Sequence, residues 1–294
     1  MSASSMLLRN TERVIRSLLR RFKYRFEYVF TPMVYVPKGW HSVSVSGWGD
    51  HSVAAAQEKH WPTLLCNLEG QGPLGVSHLP WESTRESRAE HNVLMSYGYV
   101  LGLAARKKDT LAILDWGSGV GHFYLYSKAL LPDVEFQYHA YDVADMCRVG
   151  RRLLPEIHFS NDENDFLNRR YNLVISGSSL HYFEDWRREA LKLAAATQEL
   201  LYISRLQVVL RAPSFVVTHK INEWGYGEFQ SWCINRQEFL SCIEACGLEL
   251  VREFVYYNKI TIRKAPESGD CRGYLFRRRA AAGSGIEQCS EAAR

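Results

Sequence analysis

The stretch Leu111–Tyr124, LAILDWGSGVGHFY, constrains the fold more than any other part of the chain. Leu111, Ala112, Ile113 and Leu114 form a short apolar run of the kind that makes a strand covered on both faces. Asp115 ends that run. Gly117, Gly119 and Gly121 then alternate with Trp116, Ser118 and Val120. Glycines so placed admit positive φ and let a ligand approach bare backbone. The helix predicted to follow opens on free N–H groups, which suit a carboxylate or a phosphate.

Spacing decides between ligands. The dinucleotide fingerprint G-x-G-x-x-G needs glycine at position 122, where this chain has His122. An NAD-dependent oxidoreductase is therefore disfavoured. The pattern present is Asp-x-Gly-x-Gly-x-Gly, and it resembles the first motif of class I S-adenosylmethionine-dependent methyltransferases. The resemblance implies that Asp115, Gly117, Ser118, Gly119 and Gly121 hold the amino-acid end of S-adenosyl-L-methionine, with S-adenosyl-L-homocysteine as product. A glycine turn without a ligand is the plain alternative.

The chain beyond the turn supports the motif. Glu135–Tyr141 alternates as a strand and leads into Asp142. That carboxylate stands about 20 residues past the last glycine, the spacing at which an acid accepts from ribose hydroxyls. Val143 is expected beside it. A short strand at 156–159 ends at Ser160-Asn161-Asp162, and the resemblance makes Asp162 the candidate for the adenine edge. Tyr171–Ile175 is a fourth strand running into Ser176 and Gly177, small residues that leave room for the cofactor's methyl end. Further strands are expected at 200–204, 248–257 and 272–278, with helices between; the resemblance implies that the last runs antiparallel beside the sixth. This alternation predicts an α/β, Rossmann-like fold: a seven-stranded, mostly parallel sheet with helices on both faces, plus an N-terminal helical extension.

The remaining segments set the domain plan. Residues 6–30 place Leu7, Leu8, Val14, Ile15, Leu18, Leu19 and Phe22 at helical spacing among many arginines. Such a helix suits an anionic membrane face, a partner in a biosynthetic complex, or simple docking on the enzyme. Residues 31–85 are rich in tryptophan (Trp40, Trp48, Trp61, Trp81), with an irregular stretch to residue 50 and a helix at 51–68 expected to break at Pro62. The methyltransferase domain is expected over 86–279, opening on a helix over 86–106 in which Glu90 and His91 are possible site residues. Residues 205–236 read as a long loop beyond the fifth strand, an acceptor cap carrying Trp224, Tyr226, Phe229 and Trp232. Residues 280–294 are small and polar, and disorder is expected there.

Composition bounds the class. The 294 residues are 46% apolar, which suits a packed core, and the net charge of +4 is too small to argue for nucleic acid. No apolar run reaches the length of a membrane span, and no signal peptide is evident. The 7 cysteines are odd in number and without a CxxC pair, so free thiols and a cytoplasmic location are expected, either free in the cytoplasm or peripheral at the inner face of the membrane, with no metal.

A closer resemblance rests on LDWGSGVGHFY (114–124), ISGSSLHYFEDW (175–186), YISR (202–205), VVTHKINEWGYGEFQSW (216–232) and GLELVREF (247–254), with Trp40, Gly47 and Trp48 ahead of them. Together they are similar to methyltransferases found among bacterial surface-polysaccharide (O-antigen type) biosynthesis genes. That resemblance implies a glycan or small-molecule acceptor, O-methylation, and Tyr182, Trp224, Tyr226 and Trp232 as acceptor contacts. The chain departs from that pattern at His181 and His219, where glutamine is expected. Methyl transfer to oxygen needs an aligned nucleophile and usually a base for its proton. Histidine suits that role near neutrality, so His181 is the candidate base, and His219 positions the acceptor or shares that work. A methyltransferase-fold protein that binds without turnover is the competing reading.

Overall fold

The computed structural model describes residues 33–41, 47–72, 74, 87–221 and 227–279. Residues 6–30, Trp81, Trp224, Tyr226 and the tail 280–294 lie outside the described residues. Strand β1 (Met33–Val36) and helix α1 (His51–Glu69) come first, then helix α2 (Arg88–Ala104). From there strand and helix alternate: β2 (Thr110–Trp116), α3 (His122–Leu130), β3 (Glu135–Tyr141), α4 (Ala144–Leu153), β4 (His158–Ser160), α5 (Asn164–Leu167), β5 (Tyr171–Gly177), α6 (Trp186–Ala196) and β6 (Thr197–Val209). The chain closes with β7 (Phe215–Ile221), β8 (Gly227–Asn235), α7 (Arg236–Ala245), β9 (Leu248–Ile260), β10 (Ile262–Arg263) and β11 (Gly269–Arg278).

The expected Rossmann-like arrangement is present. β2 is central, with β3 then β4 on one side and β5 then β6 on the other, all parallel. β11 runs antiparallel between β6 and β9. Alternate residues of each strand enter opposite cores, as the two-residue period of a strand requires. Ile113, Leu173 and Tyr202 pack with residues of α1, α2, α3 and α4, whereas Leu114, Val174 and Leu201 pack with residues of α5, α6 and α7. Some helix starts are capped by short polar side chains. Asp50 accepts from the Ser52 amide, Ser87 from Glu90, and Asn235 from Gln237 and Glu238. Gly247 follows α7 at φ +78°, the conformation that a C-terminal glycine supplies.

Three local expectations are corrected. Residues 205–236 are not a long loop. β6 continues to Val209, and β7 and β8 form an antiparallel pair in register Val217↔Ser231. The β-branched run Val216-Val217-Thr218 favours strand over loop, and it finds a partner on each side. β1 pairs antiparallel with β7 and parallel with β10, while β8 joins the far end of β6, so among the described residues the sheet has eleven strands rather than seven. Residues 33–36 are accordingly strand within a stretch expected to be irregular. Finally, α1 runs unbroken through Pro62. Proline removes one intrahelical bond, but Val53, Ala54, Trp61 and Leu64 on both sides of it are buried in the core, and that packing holds the helix together.

No described helix is long and apolar enough to cross a membrane. Because α1 shares the core of the sheet, Trp61→Ala is expected to lower the stability of the whole fold by about 3–5 kcal/mol in urea unfolding followed by fluorescence and circular dichroism. An unchanged main transition would show that α1 folds apart from the sheet.

Candidate active site

The glycine turn folds as its residue types require. Gly117, Gly119 and Gly121 take φ of +79°, +58° and +96°. Side chains would also collide there: a Cβ on Gly117 would overlap Ser179, and one on Gly119 would lie 2.9 Å from Gln57 Oε1. The turn's amides are all engaged within the protein. Gly117 and Ser118 donate to the Tyr141 carbonyl (2.8 and 3.2 Å), Gly119 to Asp142 Oδ2 (2.7 Å), Val120 to Gln57 Oε1 (3.3 Å) and Gly121 to the Ser118 carbonyl (3.1 Å). The turn therefore presents bare Cα surface and carbonyls.

Above the carboxyl ends of the strands lies a cavity of about 330 Å³. The ends of β2 and β3 contribute Gly117, Gly119, Tyr141 and Asp142, with Val143 and Met146 beyond them. The end of β5 contributes Gly177, Ser178 and Ser179. Ser179 Oγ donates to the Trp116 carbonyl (2.7 Å) and meets Ser176 Oγ (2.7 Å), which ties this end to the glycine turn. Ser178 takes φ +62°, a strained conformation for a residue with a Cβ. The remaining wall is mostly aromatic, with Trp40, Trp48, Tyr182, Phe183 and Phe229, joined by Gln57 and Gln230. Trp48 meets Tyr182 edge-on at 5.2 Å and Phe229 at 5.3 Å. One cavity thus joins a polar cleft over the sheet to an aromatic chamber, the place where open α/β sheets bind ligands.

A family model described as a methyltransferase domain matches residues 89–253, more than half of the chain. The chain belongs to that methyltransferase family. Among solved structures, 1,6-didemethyltoxoflavin-N1-methyltransferase of Burkholderia thailandensis, with 1,6-didemethyltoxoflavin and S-adenosylhomocysteine bound, is 12% identical; the match covers 84% of this chain and 95% of that one at a TM-score of 0.45. The CcbJ methyltransferase of Streptomyces caelestis is 13% identical, with 64% and 90% covered and a TM-score of 0.46. No curated protein matches the chain.

The methyltransferase's cofactor is S-adenosylmethionine, and the residues present fit it. Asp142 faces the cavity and keeps lone pairs beyond those used by the Gly119 and Val143 amides (both 2.7 Å), as a ribose diol requires. The bare Gly117 and Gly119 lie beside it, and Val143 and Met146 offer an apolar slot for a flat base. When bound, the cofactor supplies a methyl group activated on a sulfonium. The chain's own residues orient it and keep water away.

Gly117, Gly119, Asp142, Val143, Gly177 and Tyr182 line the cavity, but other expected site residues do not. Asp115 is fully buried beneath the turn; its Oδ2 accepts from Tyr138 (2.8 Å) and its Oδ1 has no partner. Burial pushes its pKa up to about 7 against that hydrogen bond. Ser118 and Ser176 are buried within the turn and strand end, and Gly121 packs against Leu154 and Phe159. Asp162 is exposed just ahead of α5 and accepts from the Asn164 amide at 3.0 Å. Trp232 backs the wall: it stacks on Trp40 at 6.2 Å and donates to the Glu184 carbonyl (3.0 Å). Trp224 and Tyr226 lie outside the described residues. Sequence reasoning missed Gln57, Ser179 and Gln230; Trp40 and Trp48 carried a signal in the crowding of tryptophans.

His181 and His219 stand behind the chamber rather than on its wall. His181 is wholly buried, neither ring nitrogen has a hydrogen-bond partner, and its ring lies 4.4 Å from that of Tyr182. Burial, with His219 and Arg205 nearby, pushes its pKa down to about 3. His219 stacks on Phe229 at 5.5 Å, and burial takes it to about 4. A group of such low pKa, without access to the cavity, is a poor proton acceptor near neutrality.

Burial raises the pKa of Asp142 to about 6, against the two amides that lower it. The ionised form is the one that accepts from two hydroxyls. Affinity for S-adenosylhomocysteine is therefore expected to be constant above pH 7 and to fall as pH drops through 6. Asp142→Asn should cost about 10–100-fold at pH 8 and flatten this pH dependence, both read by calorimetry. Equal affinity at pH 5 and pH 8 in the parent protein would contradict the ribose role.

Proposed function

We propose that this methyltransferase O-methylates a sugar or glycan precursor, of the kind used in bacterial surface polysaccharides. The observation that carries the reading is the aromatic chamber, continuous with the cofactor cleft. Sugars present apolar C–H faces and polar edges, and Trp48, Tyr182 and Phe229 offer aromatic surface of the matching kind. Gln230 adds a fixed polar edge. Its Nε2 donates to the His41 carbonyl (2.6 Å), and its Oε1 accepts from the His41 amide (3.2 Å). The sequence likeness to surface-polysaccharide methyltransferases supports the same acceptor class, and the basic segment 6–30 suits attachment at the membrane face where such glycans are assembled.

In this reading alignment does most of the work. The acceptor hydroxyl is held in line with the donor methyl, and the water-poor chamber strengthens that alignment. Tyr182 borders both the acceptor and the two buried histidines, so His181 and His219 act as positioning residues that set its ring. His181→Phe, which keeps a ring in that space, is expected to raise the acceptor KM while lowering kcat less than tenfold. A kcat loss of 10²–10⁴-fold would restore His181 as the base.

The acceptor assignment is tested by incubating the full chain with S-adenosylmethionine and a panel of hexosides, lipid-linked sugars and flat aromatic alcohols, with product read by mass spectrometry. Methylated sugar is the expected product, and Trp48→Ala should raise its KM tenfold or more. Methylation of aromatic alcohols alone would overturn the sugar assignment.

A further inference from the structure

Gln57 belongs to α1, outside the residues matched by the family model, yet it lines the cofactor cleft. Only 2% of its surface is exposed. Its Oε1 accepts from the Val120 amide at 3.3 Å, and this fixes the orientation of the side-chain amide, since an NH₂ group turned toward that N–H would be repelled. Nε2, which carries two donors, makes no hydrogen bond to another described residue. The helix itself is firmly placed. Val53, Ala54, Trp61 and Leu64 are buried in the sheet's core, and Glu58 on the neighbouring position accepts from Arg152 of α4 at 2.6 Å.

The cofactor brings one anionic group, the carboxylate of its amino-acid tail. The glycine turn has no amide left to receive it, because the N–H groups of residues 117 to 121 are all bonded inside the protein. Asp142, the carboxylate on the cavity wall, repels it. A buried carboxylate without donors is costly, so the tail needs a donor beside Gly119, and Gln57 Nε2 is the side-chain donor placed there. We infer that Gln57 binds the carboxylate of the cofactor's amino-acid tail through Nε2, making the accessory helix α1 part of the cofactor site.

The inference separates the two ends of the cofactor. S-adenosylhomocysteine and 5′-methylthioadenosine share adenosine and sulfur, but the second lacks the amino-acid tail. Gln57→Glu keeps the shape and the acceptor for Val120 while replacing the two donors with a carboxylate. At pH 8, Gln57→Glu is expected to weaken S-adenosylhomocysteine by tenfold or more and to leave 5′-methylthioadenosine within about twofold, both measured by competition calorimetry on the full chain. Gln57→Met, which loses donor and acceptor alike, should show the same preference for the tail-less ligand. Equal losses for both ligands would overturn the inference and make Gln57 a support of the turn. No loss for either would show that the tail binds elsewhere. A parent protein that bound neither ligand would contradict the cofactor assignment instead.

Discussion

A carboxylate at the end of one parallel strand holds the amide of a glycine at the end of its neighbour. The Gly119–Asp142 bond of 2.7 Å is the contact on which the site depends. It joins the ends of β2 and β3, fixes the turn in its left-handed conformation and aims the remaining lone pairs of Asp142 into the cavity. The turn's other amides are consumed by Tyr141, Gln57 and Ser118, so the glycines offer shape and not hydrogen bonds. From this follows a division of labour. The sheet supplies the Asp142 carboxylate and bare backbone, and the flanking segments supply donors and aromatic surface.

Those flanking segments come from distant parts of the chain. Trp40, Trp48 and Gln57 precede the family-matched domain, while Phe229 and Gln230 lie on the β7–β8 hairpin. Aromatic contacts join them: Trp40 stacks on Trp232, and Trp48 meets both Tyr182 and Phe229. The outer strands β10, β1, β7 and β8 of the sheet bring the two segments together, since β1 leads toward Trp40 and pairs with β7 directly. The additions to the common fold are thus the walls of the aromatic chamber. A fold held in common does not fix an acceptor, whereas the chemistry of such walls does.

The sheet was legible in the sequence because its signals are local. Leu111–Leu114 is an apolar run bounded by Asp115 and glycines, and Asp142 follows at a distance set by one helix and one strand. The β7–β8 hairpin was not legible as such. Its β-branched run Val216-Val217-Thr218 is only three residues long, and the pairing partners, β1 and the end of β6, are remote in sequence. Gln57 carried no signal at all, since a glutamine on an amphipathic helix is ordinarily solvated, and its role comes from where α1 docks. His181 differs for the opposite reason. Its place after the fourth strand is right for chemistry, but Tyr182 turns toward the cavity and His181 turns into the core.

The central claim is that one cavity carries the cofactor at the strand ends and the acceptor among the aromatic side chains. A crystal structure of the full chain with S-adenosylhomocysteine tests it most directly. The account predicts the ribose hydroxyls on Asp142, the base beside Val143 and Met146, and the sulfur near Gly177–Ser179, facing Tyr182 and Trp48. A ribose bound away from Asp142, or a sulfur turned from the aromatic chamber, would contradict it.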